Sequence, residues 1–361
     1  MSRSIRFAIA GVGNCASALL QGIALARRAG DLAGVTWPTL GGYWIQDLEP
    51  VAAFDIDARK VGRPLAEACF AAPNCARVVE RQLPWQVEVS MAPVLDGMPA
   101  HFHALLPESR FVPSERPPCD VARELRDCGA EVLVCFLPVG AQRAVEHLAS
   151  ACLEARVALV NAMPVFIASD RSWAGRFAAA GVPMVGDDIK SQVGATVVHR
   201  ALVRLLGLRG VRLLRSYQLN TGGNTDFLNM ADPGRIESKR ISKTEAVQSQ
   251  LSAPLNSGQL FVGPAAYIAW QGDEKTAFIR LEWEGFGGAP GSAELRLQVH
   301  DSLNSAGVVV DALRAARLAR DRGLGGPLEI PSAWTMKHPP IQWAEEDAAE
   351  AFEQWCEGPQ S

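Results

Sequence analysis

The sequence has no Cys-x-x-Cys pair, no long apolar run and no surplus of basic residues. Its eight cysteines are scattered, which argues against a metal cluster or a disulfide framework and favours reduced thiols in a cytoplasm. No apolar run is long enough for a signal peptide or a membrane-spanning helix. The formal net charge of −4 argues against a nucleic-acid or anionic-membrane partner, because both require a basic surface.

The composition is that of a soluble globular protein. Of the 361 residues, 48% are hydrophobic, which is ample for a buried core. This length predicts two domains, or one large domain with an insertion. The sequence contains no internal repeat and no low-complexity tract.

The first motif follows an apolar run at residues 5–10. The turn GVGNCA comes directly after this run and leads into a helical pattern, which is the order that a dinucleotide-binding fold requires. A glycine at position 11 would make the tight turn, and one at position 13 would let the backbone approach a pyrophosphate at the helix N-terminus. The predicted cofactor contacts are Gly11, Val12, Gly13, Asn14 and Cys15. The alternative is an ordinary strand-to-helix turn without a nucleotide.

A second strand, at residues 51–54, ends in Asp55. An acid at this point of the fold binds the ribose hydroxyls, which favours NAD over NADP. Asp55 lies much farther from the glycines than the roughly 20 residues of the plain motif. The region 37–50 is therefore predicted to be an insertion, and Asp57 is an alternative for the same role.

An alternation of helices and strands follows a signal-poor stretch at residues 65–118. Strands are predicted at 131–136, 157–160 and 182–185, and helices at 121–128, 141–154 and 193–206. This α/β alternation predicts a doubly wound parallel sheet. Loops at the carboxyl ends of such strands line the ligand crevice, so Gly140 and Asn161 are predicted on the cofactor side.

The last of these strands ends in the segment GDDIKSQ at residues 186–192. Asp187, Asp188, Lys190 and Ser191 lie together in it and form a candidate site. Helix capping explains the acids and the serine, since both are favoured near a helix N-terminus. It does not explain Lys190.

The segment 219–243 gathers side-chain amides, glycines, carboxylates and four cations. A loop is predicted at 221–224, with Asp226 just beyond it. Lys239 and Lys243 are four residues apart, so on a helix they share a face and repel each other by about 0.2–0.5 kcal/mol. A bound anion would offset this repulsion, and the alternative is a solvated basic face.

The remainder of the chain has a different pattern. Residues 275–283 and 294–300 alternate like antiparallel strands around a glycine-rich turn. A long helix is predicted at 306–322 and an acidic one at 344–355. We therefore predict a nucleotide-binding domain from 1–195 and 303–361, interrupted by a mixed α+β domain at 196–302.

Eight motifs together make the chain resemble the myo-inositol-1-phosphate synthases in their short bacterial and archaeal form. They are GVGNCAS at residue 11, VAAFDID at 51, FLPVG at 136, NAMPVFIASD at 161, GDDIKSQVGAT at 186, LNTGGNTDFLN at 219, ESKRISKT at 237 and DSLNSAG at 301. The resemblance implies a Rossmann domain interrupted by a tetramerisation domain that supplies catalytic residues. It also implies a homotetramer that uses NAD without net consumption. A hexose phosphate would be oxidised at C5, enolised, closed by an aldol step and reduced again.

The resemblance also assigns residues to this chemistry. Lys275 would stabilise the enolate and alkoxide, Lys239 would transfer a proton or bind the C5 oxygen, and Lys243 and Lys337 would bind phosphate or the aldol oxyanion. Three carboxylates, Asp188, Asp226 and Asp301, would orient these lysines. Asp187 and Ser191 would contact the cofactor. The predicted substrate-binding residues are Asn220, Thr221, Gly222 and Lys190. No metal ligands are predicted.

Two departures from the family pattern leave the substrate open. The segment VGRP at 61–64 lacks an expected acid, and Phe136 stands where tyrosine is usual in close bacterial members. The leading hypothesis is conversion of glucose 6-phosphate to 1L-myo-inositol 1-phosphate. A related carbocyclase could instead close fructose 6-phosphate to a five-membered ring. An inactive NAD-binding regulatory protein and a simple dehydrogenase are further alternatives.

Overall fold

Two sheets organise the part of the chain that the computed structural model describes, which comprises residues 4–30, 33–251, 253–256 and 258–358. The strands are β1 (Ile5–Ala10), β2 (Thr39–Leu40), β3 (Tyr43–Trp44), β4 (Leu48–Asp55), β5 (Val89–Met91), β6 (Val132–Cys135), β7 (Ala158–Asn161), β8 (Pro183–Gly186), β9 (Arg212–Gly222), β10 (Leu260–Tyr267), β11 (Glu274–Glu284), β12 (Pro290–His300) and β13 (Gly326–Pro327). The helices are α1 (Asn14–Ala29), α2 (Leu65–Ala68), α3 (Val121–Asp127), α4 (Gln142–Ala155), α5 (Arg171–Ala180), α6 (Ala195–Leu208), α7 (Thr225–Asn229), α8 (Glu237–Gln248), α9 (Asp301–Asp321), α10 (Glu329–Thr335) and α11 (Glu345–Glu357).

The larger sheet has seven parallel strands in the order β13-β8-β7-β6-β1-β4-β5. Without β13 and the β2–β3 hairpin, this is the strand order 3-2-1-4-5-6 of dinucleotide-binding folds. Strands β6, β7 and β8 are buried along their whole length. Such strands are continuous apolar runs because helices cover both faces of the sheet. The predicted doubly wound parallel sheet is confirmed.

The predicted insertion at 37–50 contains the β2–β3 hairpin and a short 3-10 turn, and its last residues already belong to β4. The hairpin packs on α9. Arg314 of α9 is fully buried and donates hydrogen bonds to the carbonyl oxygens of Trp37 at 2.9 Å and Tyr43 at 3.3 Å. The insertion is thus attached to the core of the larger sheet and leaves the glycine turn uncovered.

The smaller sheet has the order β10-β9-β11-β12. Strand β9 lies in its interior, parallel to β10 and antiparallel to β11. One face packs against α6 and α8 through an apolar cluster that includes Val203, Val247 and Ile279. Thr221 and Gly222 were predicted in a loop, but they belong to β9, because neighbouring strands on both sides extend its ladder to this point.

Helix α9 connects the two sheets. It begins at Asp301, directly after β12, and packs against α1 and the strands of the larger sheet. The predicted helix began five residues later, because Asp, Ser and Asn favour turns and caps. Asp301 lies in the first turn of α9, where the helix dipole favours a carboxylate. No helix in the described residues is long and apolar enough to cross a bilayer. The domain limits at 195 and 302 remain a prediction.

Candidate active site

A deep cleft lies at the carboxyl ends of β1, β4, β6 and β7, between the two sheets. It encloses about 1530 Å³ of empty space, part of which is open to solvent. The glycine turn and Asp55 line it, and so do the four predicted catalytic lysines. The cleft therefore brings together the predicted cofactor residues of the glycine turn and the predicted catalytic lysines.

The glycine turn has the backbone that a phosphate site needs. Gly11 has φ +92°, and a Cβ there would lie 2.6 Å from the carbonyl oxygen of Phe136. Gly13 lines the cleft and immediately precedes α1, and a Cβ on it would meet nothing within 4 Å. The α1 N-terminus and the open backbone at Gly13 fit the pyrophosphate of a dinucleotide.

Asp55 also lines the cleft, at the end of β4. Its carboxylate accepts a hydrogen bond of 2.7 Å from the backbone N–H of Val12. Lys60, a cleft residue that the sequence analysis missed, donates to the carbonyl oxygen of Val12 at 2.7 Å and lies 3.8 Å from Asp55. The alternative acid Asp57 is fully buried and binds Arg59. Asp55 is therefore the acid available to a ribose.

Asn14 and Cys15, which follow the glycines, also line the cleft. Asn14 is held by Cys75, whose backbone N–H donates to the Asn14 side chain at 3.0 Å. Burial, followed by the carboxylates of Asp273 and Asp301, raises the pKa of Cys15 to about 12. The Cys15 thiol is therefore neutral and serves as a small wall group. All eight cysteines of the chain are free thiols.

Of the other predicted cofactor residues, Ser191 lines the cleft, whereas Gly140, Asn161, Asp187 and the buried Val12 do not. Gly140 packs against Arg235. Asn161 donates to Asp187 at 2.7 Å, and the Asp187 carboxylate also accepts backbone hydrogen bonds from residues 167–169. Burial raises the pKa of Asp187 to about 6, although these hydrogen bonds favour its ionised form. These buried groups fold the loop after β7, and residues 162–164 of that loop line the cleft.

The four lysines reach the cleft from three separate elements. Lys239 and Lys243 come from α8, and Lys275 comes from β11. Lys337 lies in residues 336–344, which join α10 to α11 and which we call the connecting segment. Three of the lysines pair with carboxylates. Lys239 hydrogen-bonds Asp226, Lys275 lies 3.0 Å from Asp301, and Lys337 lies 2.9 Å from Asp188.

Lys243 differs from the other three lysines. It is buried, and among the described residues its ammonium has no hydrogen-bonding or ion-pair partner. Burial, followed by the positive charges of Lys275, Lys239 and Lys337, lowers its pKa well below the usual value. Burial also lowers the pKa of Lys239, but Asp226 and Asp188 outweigh it and leave that pKa raised. The cleft thus holds three lysines paired with carboxylates beside one lysine whose pKa burial and like charges lower strongly.

Asp188 joins three parts of the fold at this point. One carboxylate oxygen accepts from Lys337, and the other accepts from the Ser242 hydroxyl of α8 at 2.6 Å. Its φ of +63° is a left-handed conformation that Asp tolerates better than most residues. The backbone N–H of Lys337 donates to the Asp188 carbonyl oxygen at 2.7 Å. The connecting segment is therefore paired with the residues that follow β8.

The predicted substrate-binding residues do not line the cleft. The Lys190 ammonium donates to the carbonyl oxygen of Ala333 at 2.7 Å and lies 3.0 Å from Glu345. Burial lowers its pKa to about 8, although Glu345 raises it. The Asn220 amide donates to the Gly263 carbonyl oxygen within the smaller sheet at 2.8 Å. Thr221 and Gly222 are in the β9 ladder.

Three further cleft residues were missed by the sequence analysis. Asn224 caps α7, and its amide lies 3.3 Å from Asp273. The Ser302 hydroxyl donates to the same carboxylate at 2.7 Å, and Ser305 follows one turn later on α9. The position of Asn224 next to Asp226, and of the serines next to Asp301, could have suggested them.

The arrangement suits an anionic substrate whose reaction forms further negative charge. Preorganised ammonium groups stabilise enolates and alkoxides, and such electrostatic stabilisation is usually the largest single contribution to catalysis. An unpaired amine can take up a proton. The described residues contain no group of His, Cys, Asp and Glu that could hold a metal ion.

Comparison with known proteins gives a consistent result. The family model "Myo-inositol-1-phosphate synthase" matches residues 194–302. The chain is 47% identical over 361 residues to the inositol-3-phosphate synthase of Mycolicibacterium smegmatis, covering 98% of both chains. It is 45% identical to that of Mycobacterium tuberculosis H37Rv, covering 99% of this chain and 97% of the relative.

Among solved structures, the chain is 37% identical to the protein in the crystal structure of Ari2, with a TM-score of 0.78 and 98% of each chain covered. A Thermotoga maritima myo-inositol-1-phosphate synthase-related protein, 24% identical with a TM-score of 0.83 and 98% coverage of both chains, shares the fold. The family resemblance is confirmed.

We expect Gly11→Ala to destabilise the protein by about 2–3 kcal/mol, because the added Cβ would clash with Phe136 in a left-handed backbone. Gly13→Ala is the matched control and should cost less than about 1 kcal/mol, since its Cβ meets open space. Thermal unfolding followed by circular dichroism measures both. Equal melting temperatures for the two variants would contradict this account of the turn.

We expect Lys243→Met to stabilise the folded protein by about 1–2 kcal/mol, because it removes a buried amine that has no ion-pair partner among the described residues and lies beside three other lysines. Lys275→Met is the matched control. It should destabilise the protein, since it leaves the Asp301 carboxylate without its partner. Thermal unfolding compares both variants with the wild type.

The same lysine predicts a pH dependence. Because the folded state lowers the pKa of Lys243, the unfolded chain binds more protons between that pKa and about 10.4. Stability contributed by this site should therefore rise with pH across this window, and Lys243→Met should flatten the rise. A destabilised Lys243→Met variant with an unchanged pH profile would disprove the assignment.

Proposed function

Since the chain belongs to the myo-inositol-1-phosphate synthase family, we propose that it converts glucose 6-phosphate to 1L-myo-inositol 1-phosphate with NAD as a catalytic, unconsumed cofactor. The observation that carries this proposal is the cluster of four lysines in the same cleft as the glycine turn. A simple dehydrogenase has no need of so many cations beside its hydride-transfer site. Enolisation and aldol closure do need them, because both form negative charge on carbon-bound oxygen.

The cofactor would lie along the turn at residues 11–15. NAD, when bound, takes a hydride from the substrate and later returns it. The backbone at Gly11 and Gly13 and the α1 N-terminus would receive the pyrophosphate, and Ser191 lines the same cleft. Asp55 would accept hydrogen bonds from the adenosine ribose, and its charge would repel the additional phosphate of NADP.

The lysines divide the remaining chemistry between them. Oxidation at C5 makes the C6 protons acidic, and we assign the removal of one of them to Lys243, whose amine is unpaired. The enolate carbon C6 then attacks the C1 aldehyde, which forms the ring bond and leaves an alkoxide on C1. Lys275 and Lys239, both paired with carboxylates, would stabilise the oxyanions, and Lys337 would bind the phosphate or the aldol oxyanion. This assignment moves proton transfer from Lys239, where the family resemblance placed it, to Lys243.

A second substrate has support from one position. Phe136 lines the cleft, at a position where the family resemblance led us to expect tyrosine. Loss of that hydroxyl changes which sugar hydroxyls can be bound near the glycine turn. Fructose 6-phosphate carries its carbonyl at C2, so the same sequence of steps would close a five-membered ring.

The decisive experiment incubates the purified protein with NAD and either glucose 6-phosphate or fructose 6-phosphate. Products are followed by NMR and NADH by absorbance. We expect an inositol phosphate from glucose 6-phosphate without accumulation of NADH. A cyclopentane polyol phosphate from fructose 6-phosphate would keep the mechanism and change the substrate. Stoichiometric NADH would indicate a dehydrogenase, and no product from either sugar would contradict the proposal.

We further propose that the protein is a homotetramer that associates through the smaller sheet. The face opposite α6 and α8 carries Phe261 and Phe278, which are 48% and 42% exposed. Tyr217 and Leu219 lie between them on the same face of β9. A contiguous apolar patch of this kind is typical of an interaction surface.

Phe278→Glu should reduce the mass of the assembly in solution, because it places a charge in the centre of the proposed contact. Leu208→Glu is the control, since Leu208 is an exposed apolar residue at the end of α6, on the other side of the sheet. Light scattering coupled to size-exclusion chromatography measures the mass. A monomeric wild type, or an unchanged tetramer in Phe278→Glu, would refute this interface.

A further inference from the structure

Outside the cleft, two buried cations and the partly exposed carboxylate of Glu345 form a charge cluster between α6 and the start of α11. Lys190 and Arg200 are 3% and 1% exposed, respectively. Both contact the carboxylate of Glu345, Lys190 at 3.0 Å and Arg200 at 3.1 Å. The family chemistry described above has no use for this cluster, because none of the three lines the cleft.

Such a cluster is costly for stability alone. Removing two cations and one carboxylate from water costs several kcal/mol, and apolar residues of similar size often serve stability equally well. Buried charges of this kind are best attested where they fix one arrangement of the chain over others. The contacts made by Arg200 indicate which arrangement is fixed here.

Arg200 holds the connecting segment by two contacts. Its guanidinium donates to the Gln342 side-chain oxygen at 3.0 Å and to the carbonyl oxygen of Trp343. The Gln342 amide in turn donates to the carbonyl oxygen of Lys337 at 2.7 Å. A continuous chain of hydrogen bonds therefore runs from the charge cluster to the backbone of a cleft lysine.

Lys190 acts on the same lysine from the other side. Its backbone N–H donates to Thr335 at 2.8 Å, two residues before Lys337, and its ammonium donates to Ala333 at 2.7 Å. Lys337 pairs with Asp188, two residues before Lys190. Residues 337 and 338 pair directly with Asp188 and Asp187, and the charge cluster adds contacts to this backbone through Lys190 and Gln342.

We propose that Lys190, Arg200 and Glu345 are positioning residues that, through Gln342, hold Lys337 in its catalytic position. They act on the substrate only through Lys337, so their effect on turnover rests on the proposed function. A long flexible ammonium contributes to catalysis only when its backbone and partners are fixed, since a misplacement of about 1 Å can cost up to about 100-fold in rate. The cluster supplies that fixation from outside the cleft.

The test uses Gln342→Ala, which breaks the hydrogen-bond chain and leaves Lys190, Arg200 and Glu345 in place. Lysine acetylation by acetic anhydride, quantified by mass spectrometry, reports the accessibility of each amine. Lys337 should react about fivefold faster, the factor that corresponds to one hydrogen bond of about 1 kcal/mol. Lys239 and Lys275 should keep their rates in the same sample. With the hexose phosphate that the incubation experiment shows to be converted, kcat should fall about tenfold and KM should change less.

Two further variants separate positioning from general damage. Gln342→Glu still accepts from Arg200 but cannot donate to Lys337, so it should behave like Gln342→Ala. Gln354→Ala makes the same chemical change at an exposed residue of α11 and should leave every measurement unchanged.

Each outcome decides the question. Faster labelling confined to Lys337 supports the inference, even if the wild type turns over no hexose phosphate, in which case only the proposed function fails. Unchanged labelling of Lys337 in Gln342→Ala overturns the inference. Equal increases at all four cleft lysines would also overturn it, because they would show a generally loosened protein. A Gln342→Glu variant that behaves like the wild type would overturn it too, because the hydrogen bond donated by Gln342 would then have no effect.

Discussion

Mutual repulsion among four lysines is the constraint on which the site depends. Each of the three carboxylates that offset it comes from an element other than the one that carries its lysine. Asp226 precedes α8, Asp301 begins α9, and Asp188 follows β8. The ion pairs therefore connect the ends of both sheets around the cleft. Because three carboxylates pair with three of the four lysines, Lys243 is left without an ion-pair partner among the described residues.

The sequence predicted most accurately what is encoded locally. The strand at residues 5–10 and the turn at Gly11 form one local pattern, and Asp55 was found at the end of the next predicted strand despite its greater distance. The spacing of Lys239 and Lys243 also predicted that they share a helical face. Strands β5 and β10 were missed, because β5 is only three residues long and both lie in segments without a clear periodic pattern.

Residues whose direction depends on distant partners were not predictable. Lys190 stood out chemically, but its direction is set by Glu345, which lies 155 positions later in the chain. Asn220 lies in β9, where successive side chains point to opposite sides of the sheet. The side to which Asn220 points could be assigned only from the pairing of β9 with β10 and β11. Lys60 lacked any motif, and only its contact with Val12 brings it to the cofactor end of the cleft.

Lys243 pairs with no carboxylate among the described residues, and this lowers the stability of the fold. Its proposed role as a base explains why such an arrangement would be kept. A fourth carboxylate would relieve the repulsion, but it would also hold Lys243 as an ammonium, which could not take up a proton. Sites that need a reactive group commonly retain such a local defect. The charge cluster around Arg200 lies outside the cleft and holds the connecting segment, which carries another cleft lysine, Lys337. Because the cleft lysines repel one another, Lys337 needs to be held in place, and Gln342 adds a hydrogen bond from outside the cleft to the pairing of Lys337 with Asp188.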